Sequence, residues 1–126
     1  VPCGYLDWDE NCYDAMLREV YEETSLYLPD YKDNIAEGYW NKIPFRIQDD
    51  PTKDAKQNVS FSYCSILNFA SCPENFPAAI EDFKTEEVDE VSWVPVDSIG
   101  DEPNDDWAFN HNEVINLALR YIGAKQ

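Results

Sequence analysis

Apolar positions along the chain change period several times. Between Asn11 and Thr24, Tyr13, Met16, Leu17, Val20 and Tyr21 recur at spacings of three and four, which predicts an amphipathic helix. Asn11 suits the N-cap, with Asp14 three residues on as its capping partner. Pro29 and Asp30 close that zone. From Ile35 to Ile47 the chain is apolar and aromatic but interrupted by Pro44, which predicts one or two short strands. Gln48 to Gln57 is polar and reads as an exposed loop. Val59, Phe61, Tyr63, Leu67 and Phe69 then fall on odd positions, with Ser60, Ser62 and Asn68 on even ones, the period of a half-buried strand. Residues 73 to 90 read mostly as loop, and Val91 to Val96 as a shorter strand ending near Pro95. Asn112 to Ile122 restores the helical period. The class is α+β.

With 126 residues, one compact domain is expected over 1–126. Acidic residues number 26 against 9 basic, a formal charge of -17, which argues against a nucleic-acid backbone or an anionic membrane as partner. No apolar run is long enough to span a bilayer. Cys3, Cys12, Cys64 and Cys72 match no zinc spacing. They read as reduced thiols of a cytoplasmic protein in preference to a disulfide framework.

The first helix carries the chemistry. On a wheel of about 100° per residue, Glu19, Glu22 and Glu23 fall within one arc around Ala15, opposite the apolar face, and Arg18 flanks them. A solvated acidic face is the ordinary fate of such a run. Against it, carboxylates at i, i+3 and i+4 repel one another, and no lysine is interleaved. Hard oxygens converging on one spot suit Mg²⁺ or Mn²⁺ together with substrate phosphates.

Gly4, then Glu10 after five residues, then Arg18-Glu19-Val20-Tyr21-Glu22-Glu23-Thr24-Ser25-Leu26 after seven more, resembles the signature box of the Nudix hydrolases. Every specified position matches except Ser25, where that family usually has glycine. Glycine is favoured there because it ends the helix in a left-handed conformation cheaply, and serine would cost about 1 kcal/mol or end the helix differently. Less specifically, Glu87 to Pro95 resembles the family's late strand and the loop before it, and residues 107 to 111 the start of its last helix.

The resemblance implies an α/β/α sandwich with a mixed central sheet, the box helix on one face and the C-terminal helix on the other. In that fold strands precede the box, so the expectation is a domain lacking its N-terminal strands here. The implied activity is metal-dependent hydrolysis of a pyrophosphate bond in a nucleoside diphosphate linked to another moiety. A non-catalytic nucleotide-binding or sensor module of the same fold is the alternative. Carried over, Glu22 and Glu23 would be the principal ligands of Mg²⁺ or Mn²⁺, and Glu19 a further ligand or the base toward the attacking water. Gly4 would lend its backbone carbonyl. Arg18 would orient a glutamate, and Glu10 would order the loop or bind a second ion. A further carboxylate would come from Glu86, Glu87, Asp89 or Glu90, with Glu87 and Glu90 preferred.

The partner so implied is a small nucleotide derivative, and a homodimer is left open. His111, the only histidine, reads as a helix-start residue. Trp8, Trp40 and Trp93, with Tyr39 and Phe45, could stack on a base but are expected in the core. Cys3 and Cys12 are expected to pack.

Overall fold

The computed structural model describes residues 1–35, 43–54, 56–68, 85–86, 88–100 and 111–123. Helix α1 runs Cys12–Thr24 and helix α2 His111–Tyr121, with two short strands between them, β1 (Arg46–Gln48) and β2 (Ser60–Ser62). Turns of 3-10 helix lie at Leu28–Asn34 and Val96–Ser98. The chain divides into two compact units. One holds Pro2–Ile43 with Ser65–Trp93, the other Pro44–Cys64 with Val94–Gln126.

In the first unit α1 begins where its cap requires. Asn11 is extended, and its Oδ1 accepts the Asp14 backbone N–H at 2.8 Å. Tyr13 is buried, and Met16, Leu17 and Val20 pack with Tyr31 and Leu67 around buried Leu26 and Leu28. Tyr21, expected on the core face, is exposed and meets the edge of Tyr27 with ring centroids 5.8 Å apart. Ile35 forms an isolated antiparallel bridge with Leu67.

The helix ends at Ser25 in the left-handed region, φ 65°, its N–H donating to the Tyr21 carbonyl at 2.8 Å. So the glycine conformation is retained although the glycine is not. Thr24 supports the ending, its hydroxyl donating to the Val20 carbonyl at 2.6 Å. Serine in that region is strained by its Cβ. Ser25→Gly is therefore expected to stabilise the chain by up to about 1 kcal/mol, less the entropy glycine adds to the unfolded state. Urea melts of the two proteins check it, and a less stable variant contradicts it.

In the second unit β1 and β2 pair antiparallel, with Arg46 opposite Ser62, Ile47 opposite Phe61 and Gln48 opposite Ser60. The Phe45 N–H extends the ladder to the Ser62 carbonyl at 2.8 Å. Phe45 stacks on Tyr121 of α2, centroids 5.6 Å apart. Leu119 and Ile99 are buried, as are Asn112 and Asn116, and the Asn116 amide donates to the Gly100 carbonyl at 3.0 Å. His111 opens α2, and burial pushes its imidazole pKa down.

Two expectations are corrected. The strand expected over 59–69 is ordered as a strand only at Ser60–Ser62, and the expected alternation of burial is missing, with Val59, Ser60 and Phe61 all exposed. A three-rung ribbon buries its apolar face only against a second layer, and none covers it among the described residues. Val91–Val96 is not a strand: it is irregular up to Pro95, which lacks an N–H for a ladder, and then enters a 3-10 turn. The sheet among the described residues is thus two antiparallel strands within an α+β chain. Phe69, Tyr39, Trp40 and residues 107–110 lie outside the described residues.

Candidate active site

The segment before α1 folds back onto the helix through backbone groups. The Cys3 N–H donates to Glu23 Oε2 at 2.8 Å. Gly4 lies so close to Glu19 that a Cβ built on it would collide with the Glu19 carboxylate. The Tyr5 carbonyl accepts from Arg18 Nη2 at 2.9 Å. Asp7 and Glu10 then close a turn. The Glu10 N–H reaches the Asp7 carbonyl at 3.3 Å, the Asp7 N–H reaches Glu10 Oε1 at 3.0 Å, and Asp9 adopts φ 63°.

Arg18 ties turn and helix together. Its Nε and Nη2 donate to the two oxygens of Glu10 at 2.9 and 3.0 Å, the paired geometry that suits a guanidinium and a carboxylate. Its Nη1 donates to Glu19 Oε1 at 2.7 Å and to Glu22 Oε2 at 3.0 Å. Asp7 adds an ion pair at 3.2 Å. One cation therefore serves four carboxylates. The bond to Glu10 raises the guanidinium pKa above its already high value, and the bond from Arg18 lowers that of Glu10 from 4.5.

Burial separates Ala15 and Glu19, though not Glu22, from a solvated face. Ala15, in the middle of the acidic arc, is buried, and the Glu19 side chain is only 15% exposed, whereas that of Glu22 is 54% exposed. Among the described residues no three His, Cys, Asp or Glu side chains already stand as a cation cage. The donor set fits a hard divalent ion in kind. Its members are carboxylate oxygens within one helical turn, beside a backbone that approaches closely because Gly4 lacks a Cβ.

A family model described as NUDIX domain matches residues 1–117. The chain belongs to the Nudix family. No curated protein and no solved structure matches it significantly. In this Nudix chain Gly4, Glu10, Arg18, Glu19, Glu22 and Glu23 are brought together by α1 and the segment before it. Glu86, Asp89 and Glu90 are exposed, the last two following the hydrogen bond from the Thr85 N–H to the Val88 carbonyl at 2.9 Å. Glu87 lies outside the described residues. Cys3, Cys12 and Cys64 are free thiols, while Cys72 lies outside the described residues. No helix among the described residues is long and apolar enough to cross a membrane.

Sequence reasoning missed the Cys3 N–H, the Tyr5 carbonyl and Asp7. The first two are main-chain groups, which carry no residue signature. Asp7 was legible only as loop punctuation, though Asp-x-Asp-Glu around a tryptophan is turn chemistry that could have marked it. Trp8 was expected in the core and is 94% exposed. Trp93 is 45% exposed.

Two predictions arise from the Arg18 network. Arg18→Ala leaves Glu10, Glu19 and Glu22 facing one another without a cation, and the metal-free melting temperature is expected to fall by roughly 5 °C or more. Mn²⁺ should restore part of that loss, and Arg18→Lys, which cannot fork onto Glu10, should fall between. Thermal melts with and without Mn²⁺ decide it, an unchanged melting temperature in Arg18→Ala being the adverse result.

The second concerns acid. Because the folded pKa of Glu10 lies below 4.5, the unfolded chain takes up this proton first. The stabilisation is thus complete above pH 4.5 and is lost as pH falls through the lower folded value. Urea midpoints of wild type and Glu10→Gln, compared between pH 6 and pH 3, should converge toward acid. A gap independent of pH would contradict the assignment.

Proposed function

We propose that this chain hydrolyses the pyrophosphate bond of a nucleoside diphosphate linked to another moiety, on a site built from α1 and the turn before it. The carrying observation is the convergence of Glu19, Glu22 and the close-packed Gly4 backbone under Arg18, on a chain matched by the family model over 1–117. We read the whole of 1–126 as one Nudix domain. Its two helices would flank a mixed sheet in an α/β/α sandwich.

A bound Mg²⁺ or Mn²⁺ would lower the pKa of a coordinated water and neutralise charge on the phosphoryl oxygens. Glu22 and Glu23 would hold that ion, with the Gly4 carbonyl beside them. Glu19 would be a further ligand or would accept the proton of the attacking water. Arg18 fixes the Glu19 and Glu22 carboxylates, while its fork onto Glu10 fixes Arg18 itself. Such indirect support sets how tightly and in what orientation ligands are presented. At a net charge of -17 the chain repels a polyphosphate, so the cation would serve binding as well as chemistry. Glu90 remains a proposed source of an additional carboxylate, as does Glu87.

Every glutamate of the box is present, which favours an enzyme over a sensor module. The test is a screen of dinucleotides, nucleotide sugars, ADP-ribose and nucleoside triphosphates with Mg²⁺ or Mn²⁺, following nucleotide and phosphate release. Turnover that vanishes with EDTA supports the proposal. Binding without turnover of any substrate favours the sensor module.

A further inference from the structure

Among the described residues Trp8 is the most exposed large apolar side chain, at 94%. It does not hang on a loose segment. The turn from Asp7 to Glu10 that carries it is closed by two hydrogen bonds, at 3.3 and 3.0 Å, and holds Asp9 at φ 63°. That turn is fastened to the candidate site, since both Glu10 oxygens are held by the guanidinium that also holds Glu19 and Glu22. Trp8 is one residue, about 3.8 Å along the chain, from Asp7, whose carboxylate contacts the same guanidinium at 3.2 Å.

A bare indole on a braced turn has neither a core to fill nor freedom to fold away. What can cover it is narrowed by its flanks. Asp7 and Asp9 are exposed carboxylates on either side, so an anionic group is repelled, while a flat ring with amino hydrogens at its edge is suited to both indole and carboxylates. The ligand of the proposed reaction has such a ring at one end and its phosphates at the other.

We propose that Trp8 is a specificity-determining residue, the stacking platform for the nucleobase of a nucleotide whose diphosphate lies at Glu19, Glu22 and Glu23. This rests on the pyrophosphohydrolase reading for the position of the diphosphate. Trp8 takes no part in bond cleavage. It selects substrates that carry a base.

Binding, measured apart from turnover, tests it. ADP with Mg²⁺, and inorganic pyrophosphate with Mg²⁺ as the probe without a base, are titrated by calorimetry into the full chain and into Trp8→Ala and Trp8→Phe. Tryptophan fluorescence is followed in parallel. Removing a base-stacking aromatic should weaken ADP about tenfold or more. Pyrophosphate affinity should be unchanged in Trp8→Ala, ADP affinity largely restored in Trp8→Phe, and the quenching by ADP reduced in Trp8→Ala.

Equal ADP affinity in wild type and Trp8→Ala overturns the proposal. So does equal weakening of both probes, which marks a merely structural role. Failure of wild type to bind ADP overturns it as well, as does Trp8-dependent quenching by a lysine-rich peptide where ADP gives none. Trp8-dependent ADP binding in a chain that turns over no substrate supports the platform and sinks the hydrolase reading, so the two fail separately. Because Trp8 is exposed, its replacement should leave the fold intact, and the melting temperatures of the variants are measured alongside.

Discussion

Glu22→Gln is expected to lower pyrophosphate hydrolysis by about a hundredfold or more while leaving the metal-free fold nearly as stable as wild type. The rate effect follows from the place of Glu22 among the proposed ligands. A bound cation supplies several kcal/mol of charge stabilisation, and each 1.36 kcal/mol lost is tenfold in rate. The small stability effect follows from two opposed changes. The substitution relieves repulsion between Glu22 and its neighbours Glu19 and Glu23, a few tenths of a kcal/mol per pair. It also weakens the bond from Arg18 Nη1 at 3.0 Å, and with the Glu22 side chain 54% exposed that pair is worth about as little. Metal response separates this from a solvated acidic face. Wild type should gain about 2.7 kcal/mol at a hundred times the dissociation constant of Mn²⁺, and the variant far less. Equal shifts in the two melting temperatures would remove Glu22 from the site.

That near balance was only half legible in the sequence. The periodicity of Tyr13, Met16, Leu17 and Val20 places the helix, and Asn11 its start, because both are set by residues within a turn of each other. The same wheel puts Arg18 beside the carboxylates. It cannot show that a long guanidinium side chain spans the stripe to reach Glu10 across eight positions, with Tyr5 and Asp7 closing around it. With Arg18 there, three like charges are less strained than their spacing alone suggests. The strands were read less well for a related reason. Val59 and Phe61 alternate with serines as a half-buried strand should, but alternation names a face and not the layer that covers it. Pro95, near the end of the apolar run Val91–Val96, has no N–H for a ladder, and a 3-10 turn follows it, so apolar content alone does not make a strand there. Ser25 was legible in the other direction. Its departure from glycine announced a left-handed helix end, and the backbone keeps that conformation through the Tyr21 carbonyl.

Gly4→Ala is expected to separate activity from stability without removing any carboxylate. The backbone of Gly4 is not in the left-handed region, so alanine is permitted there and, by restricting the unfolded chain, adds about 0.4–1 kcal/mol before any clash is counted. The new methyl meets the Glu19 carboxylate, the far end of a side chain with several rotatable bonds. Such an end can swing aside without unpacking the helix, at the expense of its bond to Arg18 Nη1 at 2.7 Å. The melting temperature should therefore stay within a few degrees of wild type. The carboxylate, however, has to move by an ångström or more, and a misplacement of that size costs about a hundredfold in rate where geometry sets the chemistry. Rate constants, melting temperatures and the Mn²⁺ response of the variant are measured together. A low rate with an intact fold and a reduced metal response is the expected result, and adding Glu19→Gln to Gly4→Ala should then lower the rate little further, because the two changes disable the same group. Full activity in Gly4→Ala would mean that the approach of Gly4 to Glu19 has no part in the reaction.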